Sequence, residues 1–247
     1  MSIYHTLLST SKSQGAAHLL LIDPDKMPLE KLPSFVQQAT EAGVDAFLVG
    51  GSLIVDDSFE QCIVSIKQHT NLPVVIFPGG VMQISAKADA ILFLSLLSGR
   101  NAEHLIGNQV LAAPIIKKVG LEAISTAYLL VESGATTSAE FMSNTRPLPR
   151  HKPDIAVAHA LAAEILGFKC IYLEAGSGAE QSVPDEMIAA VAKHCSLPLI
   201  VGGGIRTPEE ARKKVLAGAN FIVTGTVFES KGNAPLLKEF AEAIHSK

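Results

Sequence analysis

The stretch PVVIFPGGVMQISAKADAILFLSLL, Pro73–Leu97, sets two strand-like runs close together, one from Pro73 and one from Ala90. Both are continuous apolar runs rich in β-branched or bulky residues, the pattern of strands covered on both faces in a parallel sheet. Parallel neighbours need a crossover of a dozen or more residues, usually a helix. The interval GGVMQISAKAD, Gly79–Asp89, is too short for a full helix with a loop at each end. The spacing predicts a missing or rudimentary helix there and, on that flank, an open groove. A short helix that closes the gap is the alternative.

Similar runs recur outward from this pair. HLLLID from His18 and AFLVGG from Ala46 precede it, which makes the Pro73 run the third strand. ISTAYLLVE from Ile124, CIYLEAG from Cys170, PLIVGGG from Pro198 and FIVTGTVF from Phe221 follow. Between them, Leu29, Leu32, Val36 and Ala39, and again Met187, Ile188, Val191 and Ala192, recur at helical spacing and mark stripes that face a sheet. Glycines at Gly43 and Gly218 fall where those helical patterns stop. Eight strands alternating with helices predict an α/β fold, a modified (β/α)8 TIM barrel lacking or shortening its third helix, as one domain over residues 1–247. A doubly wound open sheet is the alternative. The stretch Glu132–Asp154 is polar and proline-interrupted, with no helical periodicity until Ile155. It reads as a long loop on the catalytic face, either a mobile lid or surface decoration.

Composition narrows the function. Of the 247 residues 48% are hydrophobic, yet no apolar run reaches the roughly 18 residues that span a bilayer. The excess apolar surface points to a subunit interface, hence a homo-oligomer, or to an apolar ligand groove. The N-terminal residues lack the basic and apolar regions of a secretory signal, so a cytoplasmic protein is expected. Cys62, Cys170 and Cys195 form no C-x-x-C pair and read as reduced, packed thiols. A net charge of -4 without a basic run argues against nucleic-acid binding.

Three consecutive strands end in glycine-bearing turns: AGSGA from Ala175, VGGGIRTPEEA from Val201 and TGTVFE from Thr224. Glycine lets backbone amides approach an anion closely, and the ends of the seventh and eighth barrel strands are the usual phosphate position. Thr207 can cap the following helix, with Pro208 at its first position and Glu209 and Glu210 in its first turn. Convergence of the three turns predicts a phosphate site at Gly203 and Gly204. At the same mouth the first strand ends in IDPDK, where Asp23 can face inward, and the second in GGS, where Ser52 offers a hydroxyl. A carboxylate, a hydroxyl and waters suit Mg2+. Asp56 and Asp57 lie past the strand end and read as a capping pair.

LIDPDK, FLVGGS, VVIFPG, LLSGRN, YLEAGSGA, VGGGIRTPEEA and VTGTVFE, in this order over nearly the whole chain, resemble the geranylgeranylglyceryl phosphate synthase family, which includes heptaprenylglyceryl phosphate synthases. The resemblance implies a barrel without its third helix and magnesium-dependent transfer of a prenyl group from a prenyl diphosphate, geranylgeranyl diphosphate by the form of the motifs, to sn-glycerol 1-phosphate. It places magnesium at Asp23 and Ser52. It places glycerol phosphate at Tyr172, Leu173, Glu174, Ala175, Gly176, Ser177 and Gly178, at Gly203 with Gly204, and at Gly225 with Thr226. Glu174 would then accept the alcohol proton, supported by Tyr172. Arg100, Asn101 and Lys26 are candidate diphosphate partners, and Phe77, Phe93 and Tyr128 candidate floor residues of a lipid trench. Transient contact with a membrane surface would release the product. Two rivals share the glycine turns: a phosphosugar isomerase or aldolase on the same fold, and a non-catalytic prenyl-phosphate binding protein.

Overall fold

Eight strands pair in parallel in chain order, and the eighth returns to the first: β1 (Ala17–Ile22), β2 (Ala46–Val49), β3 (Val74–Ile76), β4 (Ala90–Leu96), β5 (Glu122–Leu130), β6 (Cys170–Glu174), β7 (Leu199–Gly202) and β8 (Phe221–Thr224). The computed structural model describes residues 2–54, 58–228 and 234–245. All eight apolar runs of the sequence are strands of one closed barrel, which excludes the open sheet. The helices are α1 (Ile3–Gln14), α2 (Leu32–Ala42), α3 (Phe59–His69), α4 (Asn108–Val119), α5 (Ser138–Ser143), α6 (Pro153–Ile165), α7 (Asp185–His194), α8 (Pro208–Leu216) and α9 (Ala234–Ile244).

Strand alternation divides the buried side chains into two clusters. Leu19, Leu48, Val75, Leu92, Tyr172 and Ile200 point into the barrel. Leu20, Phe47, Ile76, Leu129, Leu173 and Val201 point outward, against the helix stripes that include Leu32, Val36, Ala39, Met187, Ile188 and Val191. Cys62, Cys170 and Cys195 are free and buried, as expected.

Between β3 and β4 there is no helix; residues 77–89 run as turns. Asp89 accepts from the Val74 amide at 2.8 Å and pairs with Lys67 of α3, while Ser85 donates to Glu60 of α3 at 2.7 Å. The turns are thus pinned to the helix before them, and the flank beyond stays open.

Three features escaped the sequence reading. The loop from Glu132 to Asp154 contains α5, which corrects the expectation of no helix before Ile155. Thr137 caps it by accepting from the Glu140 amide at 3.3 Å, but six residues make too few turns to show a 3.6-residue period. α1 closes the bottom of the barrel, with Leu7 in the inner cluster and the Glu122 carboxylate accepting from the amides of Ile3 and Tyr4 at 2.7 and 3.2 Å. A π-helical turn, Glu103–Gly107, leads into α4. Asp56 and Asp57 lie outside the described residues.

Candidate active site

Each strand of a parallel barrel delivers its last inward side chain and its following turn to one rim. Asp23 and Ser52 follow β1 and β2. Tyr172, Glu174, Ser177 and Gly178 come with β6, Gly203 and Gly204 with β7, and Gly225 and Thr226 with β8. All of them line a single cavity of ≈ 710 Å3. Leu173, Ala175 and Gly176 do not. On β6 every second residue faces the helices, and Leu173 and Ala175 are packed in that outer layer. Gly176 sits behind Glu174, its amide donating to Oε1 at 2.6 Å.

The three glycine turns touch. Ser177 Oγ and Thr226 Oγ1 are 3.3 Å apart, joining the turn after β6 to that after β8. Gly203 has φ +83, and a Cβ on it would stand 2.3 Å from Glu174 Oε1 and 2.6 Å from the Gly176 nitrogen. Only glycine lets this backbone lie directly on the carboxylate. The helix behind the cradle has the cap expected from the sequence: Glu210 N donates to Thr207 Oγ1 at 3.2 Å, and Thr207 N to Glu210 Oε2 at 3.3 Å. That cap holds the start of α8 firmly behind the turn.

Glu174 is 5% exposed. Burial raises its pKa above the ordinary carboxylate value, opposed by the nearby Tyr172 hydroxyl and the Gly176 amide. Tyr172 is fully buried, stacked on Phe77 with centroids 5.2 Å apart and edge-on to Tyr128 at 5.4 Å. Its hydroxyl lies beside the carboxylate but makes no well-aligned hydrogen bond. Burial, then the charge of Glu174, push the Tyr172 phenol well above its usual pKa. A carboxylate so placed could take a proton from a hydroxyl brought within hydrogen-bond reach of it.

Asp23 Oδ1 accepts from the Asp25 amide at 3.2 Å, and Oδ2 lies 3.3 Å from Lys26 Nζ. Lys26 lines the cavity, but Arg100 and Asn101 do not. Arg100 donates to the carbonyls of Leu97 and Gly99 at 3.3 and 2.9 Å, and Asn101 Nδ2 to that of Ser143 at 2.7 Å, so both bind neighbouring backbone. Arg206 reaches the cavity instead, its guanidinium donating to Ala179 O and Glu180 O at 2.7 and 2.8 Å. Its signal was the position two residues beyond the VGGG turn. No group of three or more His, Cys, Asp or Glu side chains suited to a metal occurs among the described residues. One carboxylate and one hydroxyl at an open mouth nevertheless fit magnesium, which keeps several waters and phosphate oxygens of its own.

From this polar end the cavity continues over apolar wall. Phe77, Phe93 and Tyr128 line it, with Val81 and Ile84 from the helix-free flank and Ala112 and Ile116 from α4. Ser138, Ala139 and Met142 of α5 line it too, so the long loop is part of the wall and not surface decoration. Lys169, at the edge of β6, lies at the opposite end, its Nζ donating to Ala123 O at 3.3 Å and sitting 5.5 Å from the Tyr4 ring centre. This removes the Schiff-base lysine an aldolase would need.

Three touching glycine turns beside a buried carboxylate, opening on an apolar trench, make a barrel-enzyme site suited to an anion at one end and an apolar chain at the other. Comparison with known proteins agrees. The PcrB family model matches residues 10–244. A geranylgeranylglyceryl phosphate synthase of Flavobacterium johnsoniae is 48% identical over 229 residues, 93% of this chain and 94% of its own. The enzyme of that name from Korarchaeum cryptofilum is 45% identical over 236 residues, 95% and 97% of the two chains. The crystal structure of (S)-3-O-geranylgeranylglyceryl phosphate synthase from Thermoplasma acidophilum, in complex with its substrate sn-glycerol-1-phosphate, superposes with a TM-score of 0.94 at 38% identity over 99% of each chain. The chain belongs to the PcrB family of geranylgeranylglyceryl phosphate synthase-like prenyltransferases.

Proposed function

We propose that the protein joins sn-glycerol 1-phosphate to geranylgeranyl diphosphate as an ether, with release of diphosphate and dependence on magnesium. The observation that carries this reading is the single cavity that holds the three-turn cradle, Glu174 and the apolar trench together. The glycerol phosphate anion lies on the backbone of Gly203, Gly204 and Gly225, with the hydroxyls of Ser177 and Thr226 beside it. The free hydroxyl at the other end of the glycerol points at Glu174. As its oxygen bonds to the first prenyl carbon, the carbon–oxygen bond to diphosphate breaks and Glu174 takes the hydroxyl proton. The Tyr172 hydroxyl lies beside that carboxylate and supports its geometry by packing. Magnesium, held by Asp23 and Ser52, supplies neutralisation of diphosphate charge when bound. Lys26 adds positive charge at the same end. The tail lies along Phe77, Phe93 and Tyr128, with chain length set by how far the trench runs.

Further properties belong to the same reading. Ile106, Val110, Leu111 and Ile115, around the π-helical turn and on α4, and Ile165 and Leu166 at the end of α6, are exposed apolar residues suited to a homo-oligomer interface. Leu53, Met82 and Phe141, on rim loops after β2, β3 and β5, are 61%, 89% and 77% exposed and suit transient contact with a membrane surface during product release. No helix among the described residues is long and apolar enough to cross a membrane, which fits a cytoplasmic enzyme that meets its product's destination from outside.

The test is an assay of the purified chain with magnesium, labelled sn-glycerol 1-phosphate and a ladder of prenyl diphosphates. Ether product that is greatest with the geranylgeranyl donor is expected. Binding without product in every lane would support the carrier reading instead.

A further inference from the structure

We propose that Gln83 is a positioning residue for the diphosphate end of the site, its amide clamping together the two turns that seat Asp23 and carry Ser52. The inference rests on the reading of Asp23 and Ser52 as the diphosphate-side pair. Gln83 belongs to the stretch that stands in place of the third helix and is 8% exposed. Its side-chain oxygen accepts from the Gly79 amide at 3.0 Å and, at the edge of hydrogen-bond range, from the Gly51 amide at 3.5 Å. Its nitrogen donates to Gly51 O at 2.8 Å. One side chain thereby holds both faces of the Gly51 peptide region and ties it to the turn after β3.

Those turns pack backbone on backbone. A Cβ on Gly50 would lie 1.9 Å from Phe77 O, and one on Gly79 would lie 2.1 Å from Gly51 O. Glycine at both positions is what allows the approach, and the Gln83 amide satisfies the polar groups that the approach buries. Gly51 then forms the seat of Asp23: a Cβ there would meet three atoms of the Asp23 carboxyl group at 3.3 to 3.4 Å. Ser52 is the next residue. A shift of Gly51 therefore moves the hydroxyl by its own chain and removes the surface against which the carboxylate rests. A barrel with a third helix could brace these turns by helix packing; here a single amide does so, and the flank stays open for the lipid tail.

Gln83 is not among the cavity-lining residues, and its side-chain hydrogen bonds go to Gly51 and Gly79 in the turns after β2 and β3, so its loss should act on one substrate. The test uses the full chain and its variants Gln83→Met, which keeps the length without the amide, and Gln83→Glu, which keeps an acceptor without the donor to Gly51 O. Calorimetry measures binding of inorganic pyrophosphate with magnesium and, separately, of sn-glycerol 1-phosphate. The pyrophosphate affinity should fall about tenfold or more, the usual effect of losing a group that orients a metal's ligands, while glycerol phosphate affinity stays unchanged. In prenyl transfer, KM for the prenyl diphosphate should rise without a rise in KM for glycerol phosphate. Equal weakening of both ligands, or weakening of neither, overturns the proposal and makes Gln83 a staple of the fold alone. Should Gln83→Met fail to fold, Gln83→Glu carries the same comparison. Wild-type protein that binds glycerol phosphate but not pyrophosphate with magnesium would refute the underlying assignment of Asp23 and Ser52, and this inference with it.

Discussion

Substitution of Gly203 by alanine addresses the cradle and the base at once. The added methyl carbon would stand 2.3 Å from Glu174 Oε1, 2.6 Å from the Gly176 nitrogen and 2.8 Å from the Gly176 oxygen. Ordinary contact begins near 3.4 Å, so the carboxylate and the Gly176 peptide must retreat by about 1 Å, breaking the 2.6 Å bond between them. The backbone angle of +83° adds a left-handed penalty of about 1–2 kcal/mol for a residue with a Cβ. A loss of about 2 kcal/mol lowers the melting temperature of a chain this size by about 4–8 °C, which leaves it folded at 25 °C. Misplacement of a reacting group by about 1 Å costs about 100-fold in rate. The assay is steady-state ether formation at saturating substrates beside a thermal melt. The expected result is a kcat lower by about two orders of magnitude with a modest loss of stability. Turnover within about twofold of wild type, with the melt shifted as calculated, would show that Gly203 does not abut a working Glu174 and would refute the reasoning.

Other expectations follow from the same geometry. Glu174 is protonated in both folded and unfolded chains well below pH 4.5; because burial raises its folded pKa, stability falls as pH rises through the window between the two values. Glu174→Gln should therefore melt higher than wild type at neutral pH, with the difference vanishing in acid, as read by melts across pH. His18 behaves oppositely: burial lowers its pKa to about 3, and its Nδ1 has no partner among the described residues while Nε2 meets Thr224 Oγ1 at 2.7 Å. The unfolded chain takes up that proton near pH 6.5, so stability is lost as pH falls from there toward 3, by up to about 1.4 kcal/mol per unit. Denaturant midpoints of His18→Phe should lack that slope. Tyr172→Phe removes a buried hydroxyl without a hydrogen bond, so stability should hold within about 0.5 kcal/mol while kcat falls. Asp23→Asn should shift the magnesium titration of activity to higher concentration; an unchanged titration would move the metal elsewhere.

Much of this was legible in the residues because barrel strands advertise themselves. A strand buried on both faces reads as a largely apolar run, and all eight did, although Ser95 interrupts β4 and Ser125 with Thr126 interrupts β5. The missing helix was legible as a distance: the eleven residues from Gly79 to Asp89 cannot hold a full helix with a loop at each end. The cradle was legible because three glycine turns closed three successive strands. Pieces governed by tertiary contact were not. α5 is too short for a period, and α1 is held at its start by Glu122, a residue far along the chain. Leu173 and Ala175 were carried along with Glu174 by motif, although alternation on β6 turns them to the helices. Arg100 and Asn101 have the right chemistry but spend it on nearby carbonyls, while Arg206, two residues beyond the glycine turn, donates to the carbonyls of Ala179 and Glu180.

The most direct measurement of the central claim is a single-turnover experiment on Glu174→Gln with labelled sn-glycerol 1-phosphate, magnesium and geranylgeranyl diphosphate, paired with calorimetry of glycerol phosphate alone. The account expects unchanged glycerol phosphate affinity and an ether-forming step slower by about 100-fold or more, since the amide can still accept from Gly176 but cannot take a proton. Ether formed at nearly the wild-type rate would contradict it.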